Sequence, residues 1–138
     1  MDIAKAKFRE VIFLLLYSID FSKEGSQELL SFVGDELKVG MRHVKEASVI
    51  CEAIFLKLAE IDALIESVSS EYKIHRIPKV ELNILRVAIY EILFEKTTPE
   101  KVAIAEGIRL AKKFGNQECF KFVNALLDAI YQRSIAVL

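Results

Sequence analysis

Arg9, Phe13 and Tyr17 recur at i, i+4 and i+8, so they fall on one strip of a helix. A guanidinium beside two aromatic rings suits single-stranded RNA, which offers phosphate charge and splayed bases for stacking. Lys5 and Lys7 lie just before them and add positive charge. The alternative is a Phe13 in the core with Arg9 merely solvated, and the residues by themselves leave both open. A second candidate is the turn Lys112-Lys113-Phe114-Gly115-Asn116, followed by Cys119-Phe120-Lys121-Phe122. A helix N-terminus offers phosphate free N–H groups and a positive dipole end. Lys121 between two phenylalanines adds charge and stacking area. Here the alternative is one phenylalanine in the core and two lysines that only cap the preceding helix.

Catalytic chemistry finds no such footing. There is no H-E-x-x-H, no phosphate-cradling glycine loop, no G-x-S-x-G and no metal-spaced Cys/His cluster. His43 and His75 stand far apart among polar neighbours and read as surface histidines rather than catalytic bases. The expectation is a protein that is not an enzyme and needs neither cofactor nor metal.

The whole chain has 138 residues, enough for one domain with its own core. Its 53% hydrophobic and 28% charged residues describe a globular chain rather than a disordered one. The longest apolar run, Val11 to Tyr17, is far short of the roughly 20 residues that cross a bilayer. With no secretory signal pattern either, the expectation is a cytoplasmic protein without membrane contact. The net charge of −1 is unevenly spread. From Glu10 to Glu66 there are 11 acids against 5 bases, and from Lys73 to Lys121 there are 10 bases against 6 acids. A locally basic region can hold phosphate even in a near-neutral protein, because charges beyond about 10 Å are screened. Cys51 and Cys119 each sit in an amphipathic pattern and are expected as buried, reduced thiols.

The elements that must position these groups are helical throughout. Apolar residues recur with helical spacing, and no alternating stretch is framed by hairpin signals. The first helix is expected over about Ile3 to Phe21, burying Phe8, Val11, Ile12, Leu15, Leu16 and Ile19. Ser22 to Gly25 reads as a turn. A second helix should carry Leu29, Leu30, Val33 and Leu37 before Gly40. The long periodic segment from Val44 to Val68 should break near Glu60. Lys73 to Pro78 is a connector, because the residue before proline is pushed away from helix. Another helix should cover about Val80 to Glu95. The next should start at Thr98-Pro99-Glu100, with a hydroxyl cap and proline in the first helical position. It should stop at Gly115, and Asn116 should cap the last helix, which buries Val123, Leu126, Leu127 and Ile130. The result is an all-α, compact bundle of six to seven helices, read as one domain over residues 1–138.

Several stretches, in this order, are more specific than any one of them: I-L-R-V-A-I-Y-E from Ile84, V-A-I-A-E from Val102, A-K-K-F-G from Ala111 and K-F-V-N-A-L-L-D from Lys121. With Arg9-Glu10 and Leu16-Tyr17 they resemble the NusB family of transcription antitermination factors. The resemblance runs over nearly the whole chain and is weakest between Ser22 and Gly40. It implies two packed helical subdomains, with the first helix beside the C-terminal set. It implies binding of a single-stranded leader RNA element, boxA, together with the small-subunit ribosomal protein NusE, as part of the RNA polymerase antitermination complex. Carried over residue by residue, it nominates Lys5, Lys7, Arg9, Tyr17, Lys121 and Phe122 for RNA. Arg86 matches a motif arginine that either contacts RNA or braces the fold. Asn124 and Asp128 match N-x-x-L-D and are read as structural, bonding backbone groups of a neighbouring helix. Glu81, in the acidic middle of the chain, is assigned to a basic ribosomal partner.

Two departures qualify the match. A-K-A-K-F-R-E replaces the arginine-rich start common in the family, and lysine lacks the planar fork, so weaker RNA affinity is expected. Val11 to Leu16 is unusually apolar, which leaves a homodimer surface or a larger core open. The chain ends at Leu138 without a nucleotide-binding segment, which favours a free-standing factor over a docking module serving ribosomal RNA modification. A purely protein-binding helical scaffold is the remaining alternative.

Overall fold

The computed structural model describes residues 3–22, 27–69 and 73–136. Seven α-helices account for most of them, and no strand occurs among the described residues. They are α1 (Lys5–Ser22), α2 (Gln27–Leu37), α3 (Met41–Leu56), α4 (Leu58–Val68), α5 (Lys79–Tyr90), α6 (Glu100–Phe114) and α7 (Gln117–Ala136). The chain divides into two compact units, one through Leu56 and one from Lys57 onward. In contacts, α1 groups with α2 and α3 in the first unit.

In the N-terminal unit, Val11, Ile12, Phe13, Leu15 and Leu16 of α1 are buried, as are Val33 and Leu37 of α2 and Val44, Ala47, Cys51 and Ile54 of α3. The apolar run of α1 is therefore spent on core. Phe8 and Ile19, expected in that stripe, are only half-buried. The expected turn after Ser22 lies outside the described residues except for Ser22 itself, which closes α1. Helix α2 stops before Gly40 is reached. Lys38 adopts the left-handed conformation at φ 57°. The Val39 N–H donates to the Gly34 carbonyl at 2.8 Å and the Lys38 N–H to that of Asp35 at 3.3 Å. This is the pairing that closes helices when a glycine follows them, here made with a lysine at some cost in strain.

The break expected near Glu60 falls earlier, at Lys57. In the C-terminal unit α5 is the central element. It contacts α4, α6 and α7, and Leu82 through Ile89 are buried without interruption. A helix enclosed on all sides has no polar face to spare, so its two polar residues need internal partners. Asn83 Nδ2 donates to the Lys79 carbonyl at 2.9 Å, and Asn83 Oδ1 accepts from Arg86 Nη1 at 3.3 Å. The expected single helix to Glu95 changes at Glu91 into a π-helical turn that ends at Lys96, with φ 58°.

Helix α6 begins at Glu100 with Pro99 at the cap position, and the proline itself makes no side-chain cap bond. Thr98, the expected hydroxyl cap, stands just before it and is buried. At the other end the helix stops at Gly115, where φ is −111°, so the glycine is not needed for backbone freedom. It is needed for space: a Cβ there would lie 2.6 Å from Cys119 Cβ. Gly107 serves similarly, because a Cβ would approach Leu127 Cδ1 to 2.8 Å. Asn116 Oδ1 accepts from the Cys119 N–H at 2.8 Å and so caps α7 as expected. No helix among the described residues is long and apolar enough to cross a membrane.

Candidate nucleic-acid interface

In the N-terminal unit the nominated residues divide sharply by burial. Lys5 is exposed at the start of α1. Lys7 is half-buried, with Nζ 3.6 Å from Glu10 Oε1, so a buried carboxylate offsets part of its charge. Arg9 is only 6% exposed and makes contacts of its own within the protein. Neither a solvated Arg9 nor one reaching toward phosphate fits that burial. Phe13 is buried, and its ring stacks on Tyr17 at 6.0 Å between centroids with 26° between planes. The i, i+4, i+8 strip therefore exists, but it points into the protein over most of its length. Its spacing was right; its direction depended on which face of α1 the other helices cover. Tyr17, half-buried at the far end, keeps part of its ring accessible.

In the C-terminal unit the structure brings together residues that the sequence had assigned to separate partners. A cavity of about 280 Å³ is lined by Arg76, Ile77, Pro78, Glu81, Glu118 and Phe122. The connector before α5 supplies Arg76 to Pro78, with Ile77 extended at φ −79° and ψ 126° before the proline. The first turn of α5 supplies Glu81, and the first turns of α7 supply Glu118 and Phe122. Lys121, next to Phe122, is exposed. An aromatic face, a guanidinium and two carboxylate acceptors in one recess can stack a base and bond its edge. Arg76, which lines this cavity, lies in the basic run Lys73-Ile74-His75-Arg76, where the sequence predicts only a connector.

Glu81 has a second role in that wall. Burial pushes the Cys119 thiol up to about 12, and Glu81 adds to this by its charge and by a side-chain hydrogen bond with the thiol. Cys51, in the other unit, is likewise pushed up to about 12 by burial and then by the charge of Glu52. Its Sγ donates to the Ile12 carbonyl at 3.6 Å. Both thiols are buried and free.

The surroundings of three further nominated positions bear on their roles, and for Arg86 they favour the bracing alternative. Arg86 is 5% exposed, and Nε and Nη2 donate to Asp62 Oδ1 and Oδ2 at 3.0 and 2.8 Å. That fork ties α5 to α4 and, with the bond to Asn83, commits the guanidinium to bracing the fold. Asn124 and Asp128 are exposed on α7, whose buried face is Cys119, Val123, Leu126, Leu127 and Ile130. They do not lie in the core, because their i, i+4 spacing places them together on the other side of the helix. Phe120 is half-buried beneath Lys112, with Nζ 4.9 Å from the ring centroid. That contact holds the end of α6 to α7. No group of His, Cys, Asp and Glu among the described residues could hold a metal.

The chain matches the model of the NusB family over residues 6–132. It is 39% identical over 128 residues to the transcription antitermination protein NusB of Agathobacter rectalis, covering 89% of this chain and 95% of that protein. It is 37% identical to the protein of the same name from Geobacter sulfurreducens, over 88% of this chain and 89% of the relative. Among solved structures, T. maritima NusB superposes with a TM-score of 0.78 at 30% identity, covering 96% of this chain and 93% of that one. A chain in a crystal structure of the antitermination factors NusB and NusE with double-stranded RNA gives 0.78 at 29% identity, over 94% and 96%. With most of its length matched in sequence and in fold, the chain belongs to the NusB family.

Proposed function

We propose that this protein is a transcription antitermination factor that binds boxA-type leader RNA jointly with the ribosomal protein NusE, in the cytoplasm and without catalysis. The observation that carries this reading is the cavity at Phe122. An aromatic ring, Arg76, Glu81 and Glu118 line one recess beside the exposed Lys121, in a chain similar to a NusB solved with NusE and RNA. The mechanism is assembly. Lys121 and Lys5 supply phosphate contacts, the recess receives a base, and the partner completes the grip.

The electrostatic hold of the chain alone is modest. Its net charge is −1, Lys7 is partly offset by Glu10, and Arg9 and Arg86 are turned inward. A basic partner would add phosphate contacts, and such coupling is reciprocal. Labelled boxA RNA titrated with this protein alone, then with the protein saturated by NusE, should bind at least about tenfold more tightly in the second case. Equal affinity, after subtracting the partner's own binding, rejects the joint mechanism. Binding of NusE without any RNA binding would make the protein a scaffold. Competition by duplex RNA of the same sequence reports whether the single-stranded form is preferred.

A further inference from the structure

A second cavity, of about 270 Å³, lies in the N-terminal unit and is lined by Ile3, Lys5, Phe8, His43 and Glu46. The start of α1 and the first turns of α3 form its walls. Phe8 is half-buried although its neighbours along the stripe are core, and His43 keeps only 12% of its side chain exposed. Glu46 is held at the rim: Arg42 Nε donates to Oε1 at 3.2 Å, and His43 Nδ1 lies 3.9 Å from Oε2. Lys5 is exposed.

These features match one unstacked nucleotide. Small-molecule clefts start near about 300 Å³, so this one admits a single base with its sugar and no more. Phenyl and imidazole faces are the usual platforms for a splayed base. A carboxylate only accepts hydrogen bonds, so it recognises the exocyclic amino group of cytosine, adenine or guanine, which uracil lacks. An ammonium at the mouth suits the adjoining phosphate.

We propose that this cavity binds one flipped-out, amino-bearing base of the RNA, with Phe8 and His43 stacking on it, Glu46 reading its amino group and Lys5 on its phosphate. The proposal rests on the RNA-binding reading above and deepens it. Lysines on phosphate set position only, whereas a carboxylate on a base edge carries sequence preference.

The test uses the NusE-saturated protein and boxA RNA, with a set of RNAs in which each amino-bearing base is changed singly to uridine. At one position the change should weaken wild-type binding by about tenfold. In Glu46→Gln, whose amide both donates and accepts, the same change should cost less than about twofold. His43→Ala should weaken binding of every RNA in the set and reduce the preference at that same position. An unaltered uridine penalty at every position in Glu46→Gln overturns the base pocket while the RNA-binding reading stands. Failure of the wild-type complex to bind any of these RNAs overturns both.

Discussion

Arg86 grips Asp62 through two parallel hydrogen bonds of 3.0 and 2.8 Å, and the same guanidinium reaches Asn83 at 3.3 Å. A family-motif arginine is thus spent inside the C-terminal unit, where it joins α4 to α5. Removing it leaves a carboxylate and an amide without their partner. Breaking a fully buried pair costs about 3–5 kcal/mol. Asp62 keeps 21% of its side chain exposed, so Arg86→Ala should cost less, about 2–3 kcal/mol. Urea denaturation measures this, and RNA affinity per folded molecule should be unchanged. Arg86→Lys should recover only part, since an ammonium cannot make the fork.

Asn124 offers the opposite case. Because it is exposed on α7, Asn124→Leu should change stability by no more than about 0.5 kcal/mol. A loss of several degrees in Tm would show that the side chain has a structural partner after all.

Lys121 is exposed beside the Phe122 cavity. Lys121→Glu should weaken RNA binding and flatten the plot of log affinity against log salt by about 0.7 for a single strand. The melting temperature should stay within error, and an unchanged salt slope would take Lys121 out of the interface.

Gly115 sits where any Cβ meets Cys119, with 2.4 Å to Sγ and 2.6 Å to Cβ. Gly115→Ala should therefore destabilise by about 1–3 kcal/mol through overpacking. Adding Cys119→Ala should not restore stability, because the backbone-anchored Cβ at 2.6 Å remains. Full rescue by that second change would locate the clash in the thiol alone.

The two buried thiols set a direction for alkaline pH. Each is raised from 9.0 to about 12 in the folded chain. Between those values the native state keeps protons that the unfolded state has released, so stability falls as pH rises. Below about pH 8 the contribution is fully present; within the window each thiol removes up to about 1.4 kcal/mol per pH unit. Denaturation from about pH 8 to about pH 10 should show a shallower loss in the Cys51→Ala, Cys119→Ala double variant than in the wild type.

The helical class, the order of the elements and the core stripes of α3, α5 and α7 were legible in the sequence, because they follow from local periodicity. Asn116 capping α7 was legible for the same reason, since a cap needs only its own helix. The family was legible from the order of short motifs. Side-chain direction was not. Arg9 and Lys5 look alike as cations four residues apart, yet one is buried and the other exposed, because the packing against α1 covers one of them. Arg86 became a brace because Asp62, on another helix, stands across from it. Glu81 and Phe122, far apart in sequence, share a cavity because the first turns of α5 and α7 meet there. Periodicity states which residues share a face of one helix. Which face meets another helix, and therefore which charges remain for a ligand, is decided by packing over long sequence separations.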